Sequence, residues 1–193
     1  RVDGVGGAWS TAYLGLYGPG LGVTDGSEGD GSSNRHKVDS IGGRNNYVLF
    51  EFSTPVVVNQ AFLDYIGADS DMSIWIGTTA DPYNNHITLN DAVLAGFARE
   101  DNDTTVVTTS RWADINASGR TGNVIIIASS ASDTTPDDEF KISKLQIDCP
   151  PAKVDGGLVF LRDESQAETE ERETLGGLRA VRPACLCHVG TAA

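Results

Sequence analysis

Short runs of alternating apolar and polar positions succeed one another between Tyr47 and Ile147. YVLFEF (47–52) sets Val48, Phe50 and Phe52 on one face and meets Thr54-Pro55. VVVNQAFLDYI (56–66), MSIWIGT (72–78), TTVVTTSRW (104–112), NVIIIAS (123–129) and EFKISKLQI (139–147) follow, with AWSTAYLGLYG (8–18) ahead of them. Period-two runs of this length, rich in β-branched residues and separated by Gly, Asp, Asn and Pro, predict an all-β fold. The expected architecture is an antiparallel two-sheet β-sandwich, jelly-roll-like, over residues 1–148. VIIIA (124–128) is apolar on both faces, as in a central strand covered on each side. Only LNDAVLAGFAR (89–99) has a helical pattern, and a short one.

After residue 148 the pattern changes. PPAKVDGG reads as a linker, LVFLR (158–162) as one more strand and DESQAETEERETL (163–175) as a short acidic helix, so residues 149–193 are expected to form a C-terminal tail. An acidic helix with few apolar positions cannot hold itself, so the tail either finds a partner or is a disordered extension. GLVFLR can supply the partner by adding as a strand to an open sheet edge, on its own body or on a neighbouring subunit. Cys149, Cys185 and Cys187 are the only cysteines. A disulfide from Cys149 to Cys185 or Cys187 would tie the tail to the body. CLCH lacks the spacing of a haem attachment site and is incomplete as a zinc site.

Charge narrows the partners. At 193 residues and 39% hydrophobic the chain suffices for one core, and its net charge of −13 repels phosphate backbones and anionic lipid. Nucleic acid is therefore excluded as a partner class, and cations are favoured. No apolar run reaches the length of a membrane span. The opening at Arg1 without methionine, and a composition rich in Gly, Ser, Thr, Asp and Asn but poor in Lys, lead to an expectation of export and processing.

The acids suggest chemistry of one kind. Asp25, Asp30 and Asp39 lie in or beside the Gly-rich loop 20–40, and Asp69 and Asp71 in GADSDMS. Carboxylates on flexible backbone suit calcium, and these five are the expected ligands, with Glu28 a weaker sixth. An EF-hand loop is absent: counted from Asp25, Gly29 replaces the fifth-position acid and His36 the closing glutamate. No catalytic set emerges. Ser33 or Ser40 with His36 and Asp39 sit too close on one loop to converge, and no GxSxG elbow exists. Glu51, Asp64, Asp69 and Asp71 are carboxylates of unknown separation. Among the aromatics Trp75 belongs in the core, whereas Trp112 and Tyr83, beside turns, are the candidates for stacking on sugar. Asn102 and Asn116 fit the N-glycosylation pattern.

GLGVT, HKVDSIGGRNNYVLFEFSTPVVVNQAFLDYIGADSDMSIWIG and the late EFKISKLQ together resemble the extracytoplasmic part of bacterial PEP-CTERM, exosortase-dependent surface proteins. The shared ordering falls on Gly20 to Val23, an acidic loop, His36 and Asp39, Phe50 to Phe52, and Asp69, Asp71, Ser73 and Gly77. CPPAKVDGG stands where that family carries its Pro-Glu-Pro sorting signal. The resemblance implies a secreted or cell-surface protein, non-enzymatic and structural. With the apolar strands, it leads to the expectation of self-association into a homo-oligomer or filament, possible calcium bracing included. The alternative is a β-sandwich module that binds polysaccharide.

Overall fold

The computed structural model describes residues 7–26, 28 and 36–148, together with the backbone of residues 187–191. Its strands are β1 Tyr13–Tyr17, β2 Gly20–Thr24, β3 Val38–Asp39, β4 Tyr47–Asp64, β5 Met72–Gly77, β6 Ala98–Asn102, β7 Ser110–Asp114, β8 Gly122–Ser129, β9 Glu139–Asp148 and β10 Cys187–Thr191. Every ladder between them is antiparallel. The fold is all-β, as the alternation predicts.

One strand organises the rest. β4 is 18 residues long, and its first part pairs with β8 on one side and β10 on the other, while its second part pairs with β9 and β7. One sheet therefore runs β10-β4-β8-β5-β6 and the other β1-β2-β9-β4-β7, sharing β4. The sequence reading ends a strand at Thr54-Pro55. The chain instead continues, because Pro55 falls where the β4–β8 register shifts between Glu51 and Val56 and its missing N–H is not required. A second shift, between Val58 and Gln60 against β9, changes which positions face inward. Val48, Phe50, Phe52, Val56 and Val58 point into the core, and beyond the shift Ala61 and Leu63 do.

The main core lies between the sheets. There Val23, Phe52, Leu63, Met72, Ile74, Ile125, Ile127 and Phe140 are all buried. The outer face of the β4-β8-β5 sheet is covered as well. Tyr47, Leu49, Trp75, Val124, Ile126 and Ala128 pack there under Leu89, Leu94 and Trp9, and this layer is why VIIIA is apolar on both faces. Leu94 belongs to α1, Asp91–Gly96, whose N-terminus is capped by the Asn90 side chain accepting from the Val93 amide at 3.0 Å. Glu51 holds the loop before it. Fully buried on that face, Glu51 accepts from the Ile87 amide at 2.8 Å and pairs with His86 Nδ1 at 2.8 Å.

Several elements differ from the sequence reading. β2 emerges from the stretch read as loop, since GLGV packs beside β9 and beneath the 36–38 backbone. A Cβ on Gly22 would lie 1.9 Å from the His36 carbonyl oxygen, so no other residue fits. β6, with Arg99, Glu100 and Asp101, replaces the end of the expected helix, its charges suiting an edge strand. β7 begins only at Ser110, and the apolar pair Val106 and Val107 is exposed on the preceding loop. LVFLR (158–162) and the acidic helix (163–175) lie outside the described residues, whereas CHVGT, which carries no usable periodicity, forms β10.

Candidate functional site

Two loops meet at one end of the sandwich. Asp69 and Asp71 lie on the turn between β4 and β5, and Asp133, Asp137 and Asp138 on the loop between β8 and β9. Backbone bonds stitch the two together: Asp69 and Asp138 form a parallel bridge, the Glu139 amide donates to the Asp69 carbonyl at 3.0 Å, and the Asp69 amide donates to the Asp137 carbonyl at 3.2 Å. Carboxylate oxygens of Asp69, Asp71 and Asp138 consequently lie within 4.8 Å of one another, and those of Asp133, Asp137 and Asp138 do so too. Asp138 belongs to both trios.

Asp138 is wholly buried, yet its carboxyl is only half satisfied. Oδ2 accepts from the Ser130 amide at 3.1 Å, while Oδ1 is buried with no hydrogen-bond partner. Burial pushes this carboxyl up to about 7; the Ser130 amide opposes the shift, and Asp71, Asp69 and Asp133 reinforce it. Asp71 is raised as well, by burial first, although its Oδ1 accepts from the Thr104 amide at 2.6 Å. The compensating cation is Arg111. It donates to Ser70 Oγ at 2.9 Å, to the Ser70 carbonyl at 2.8 Å and to Asn102 Oδ1 at 2.8 Å. Burial lowers its guanidinium pKa while Asp71 and Asp69 raise it.

The acids of the opening loop gather separately. Asp25 is buried and accepts from Asn46 Nδ2 at 3.0 Å, and its amide donates to Glu28 Oε2 at 2.7 Å. Asp39 is buried on β3, where its Oδ1 accepts from the Ile41 amide at 3.3 Å. Burial pushes it up to about 8; Glu28, Asp25 and Glu139 add to the rise, and the Ile41 amide opposes it. Of the five acids expected to share calcium, Asp69 and Asp71 come together, Asp25 and Asp39 lie in this second group, and Asp30 lies outside the described residues. Asp133, Asp137 and Asp138 escaped the sequence reading. Their only signal was the acid density of SDTTPDDE, which also suits an ordinary turn.

Trp112 and Tyr83 are not neighbours. Trp112 stands on β7, on the outer face of the β9-β4-β7 sheet, 47% exposed and with its ring 5.2 Å from Phe62. Tyr83 belongs to the loop that leads through Ile87 and Leu89 onto the outer face of the other sheet. Further along the β7 face, Asn59, Gln60, Asp114, Asn116 and Gln146 line an open depression of about 430 Å³. Asn116 is buried, with both amide atoms bonded to the Arg120 backbone at 2.7 and 2.8 Å, and so is closed to glycosylation in the folded chain. Asn102 is likewise engaged, by Arg111 and by the Asp114 carbonyl.

His36 is bonded to Thr24 Oγ1 and stacked on Tyr17 at 3.9 Å, and Ser40 Oγ accepts from the Asp138 amide at 3.2 Å. Ser33, Cys149 and Cys185 lie outside the described residues, as does the side chain of Cys187. No helix among the described residues is long and apolar enough to cross a membrane. No family model, curated protein or solved structure matches the chain.

Proposed function

We propose that the chain is an exported, non-enzymatic structural protein of a cell surface or extracellular matrix, and that copies join by exchanging the C-terminal strand. The observation that carries this reading is β10. It lies antiparallel along the exposed side of β4, with Cys187 opposite Phe52, Val189 opposite Phe50 and Thr191 opposite Val48. Without β10, the first part of β4 would present an unpaired edge in its most apolar stretch. Residues 149–186 separate β10 from β9, a length of chain sufficient to place the strand on a second copy as readily as on its own body. Edge strand β1 adds a second adhesive surface, with Tyr13 and Leu16 exposed and no charged residue along it. The resemblance to exosortase-dependent surface proteins agrees with this reading.

Sedimentation of the full chain over a wide concentration range is expected to show mass rising above the monomer. Prolines at both His188 and Val189 remove the ladder amide whichever of the two residues donates it, and are expected to return the chain to monomer. A wild-type chain that stays monomeric throughout overturns the reading.

A second reading, a polysaccharide-binding module, is favoured by the exposed Trp112 and Phe62 beside the amide-lined depression. An aromatic platform with flanking amides and Asp114 offers stacking to the apolar face of a sugar and hydrogen bonds to its hydroxyls. On this reading Trp112→Ala abolishes retention on the polysaccharide that holds the wild type, a loss of about tenfold or more in affinity. Retention unchanged by the substitution removes Trp112 from the site.

A further inference from the structure

We propose that Asp69, Asp71 and Asp138 form a divalent-cation site, extended by Asp133 and Asp137, that takes calcium and braces the β4–β5 turn to the β8–β9 loop. Acidic turns are common without ions, so convergence of carboxylates is not sufficient. The deciding observation is Asp138: a fully buried side chain, shared by both trios, with one carboxylate oxygen lacking any hydrogen-bond donor. Leaving such an atom without a partner is unfavourable, since its lost hydration is not replaced. Asp137 Oδ1, on the neighbouring residue, is buried and unpartnered as well. A cation held between the trios satisfies these oxygens together and offsets the repulsion among five carboxylates.

The donor set selects the ion. All the offered ligands are carboxylate oxygens, on backbone that approaches from two separate loops. Calcium accepts six to eight such ligands in irregular geometry, whereas magnesium demands a tight octahedron and retains water, and zinc prefers imidazole or thiolate. Among the described residues Arg111 is the cation that acts on Asp71 and Asp69, and its guanidinium is committed to Ser70 and Asn102. The trios therefore retain a net negative charge for the ion. Asp25 and Asp39 stand apart from both trios and take no part in the site.

The site concerns the single chain, so it stands or falls independently of strand exchange. The test is calorimetric titration of the full chain, stripped with chelator and kept dilute at neutral pH, with calcium chloride and separately with magnesium chloride. It is accompanied by melting curves in calcium and in chelator. Saturable calcium binding is expected, stronger than that of magnesium, with a melting temperature that climbs with calcium in line with occupancy. Asp138→Asn is expected to weaken calcium binding on the order of a hundredfold and to erase the rise in melting temperature, while melting in chelator at least as high as the wild type because a buried charge is gone. Asp71→Asn, which keeps an acceptor for the Thr104 amide, is a second probe should Asp138→Asn fail to fold. Asp148→Asn, at the far end of β9, keeps the full response. Absence of calcium binding with identical melting in calcium and chelator overturns the proposal, as does a folded Asp138→Asn or Asp71→Asn that retains wild-type calcium affinity.

Discussion

Phe52→Ala is expected to cost about 3–5 kcal/mol. Phe52 is wholly buried and is the last inward-facing residue of β4 before the register shift at which that strand passes from one sheet to the other. Both sheets therefore close over this ring. Small adjustments cannot refill the space, because the exposed Ser53, Thr54 and Pro55 beside it have no apolar side chain to swing inward beyond the proline ring. Its partner across β10 is the backbone of Cys187, so the damage should reach the C-terminal strand as well. Urea denaturation of wild type and variant at one pH measures the difference. A loss below about 1 kcal/mol would mean that the sandwich does not close over this position.

In chelator, stability is expected to fall as pH rises from about 5 to about 8, opposite to the usual behaviour of an acidic protein. Asp39 and Asp138 carry carboxyls pushed up to about 8 and about 7 against an ordinary 3.8. The folded chain therefore keeps protons that the unfolded chain has already released. Above the unfolded value the native state binds more protons, so each added pH unit removes up to about 1.4 kcal/mol per group until the folded group itself ionises. Below about pH 4 both states are protonated and the penalty vanishes. Around Asp39 the charged neighbours are Glu28, Asp25 and Glu139, with Lys37 paired to Glu139 at 2.8 Å; around Asp138 they are Asp71, Asp69 and Asp133, and Arg111 acts on Asp71 and Asp69. The attribution rests on variants. Asp39→Asn should flatten the slope by one group, and Asp39→Asn with Asp138→Asn by two. Stability that is level or rising across this range in chelator would show that both carboxyls ionise freely in the folded chain.

Local pattern carries much of the β architecture. MSIWIGT, NVIIIAS and EFKISKLQI mark β5, β8 and β9 within a residue or two, and YVLFEF and VVVNQAFLDYI mark the two parts of what proves to be one strand, β4, because a local run of apolar and β-branched residues is enough to choose a strand. VIIIA shows in its composition that both its faces are covered, though not by what; the layer of Leu89, Leu94 and Trp9 comes from segments distant in sequence. The misplaced elements are those whose conformation depends on a neighbour. β2 is a strand because Gly22 admits the His36 backbone, and β6 because β5 offers it an edge, neither being visible in GLGVT or AREDN alone.

The acids divide in the same way. Their abundance, and with it the expectation of cations rather than nucleic acid or anionic lipid as partners, follows from composition. Their grouping does not: which carboxylates meet depends on the Asp69–Asp138 bridge, which joins loops far apart in the chain, and on burial that leaves Asp138 Oδ1 without a donor. By itself the sequence determined an acidic, all-β chain with the strands of its central sheets in place. Tertiary structure alone decided the passage of β4 between the two sheets, the return of residues 187–191 to its edge and the convergence of Asp69, Asp71 and Asp138. Each of these rests on contacts between distant segments, for which a single local period holds no record.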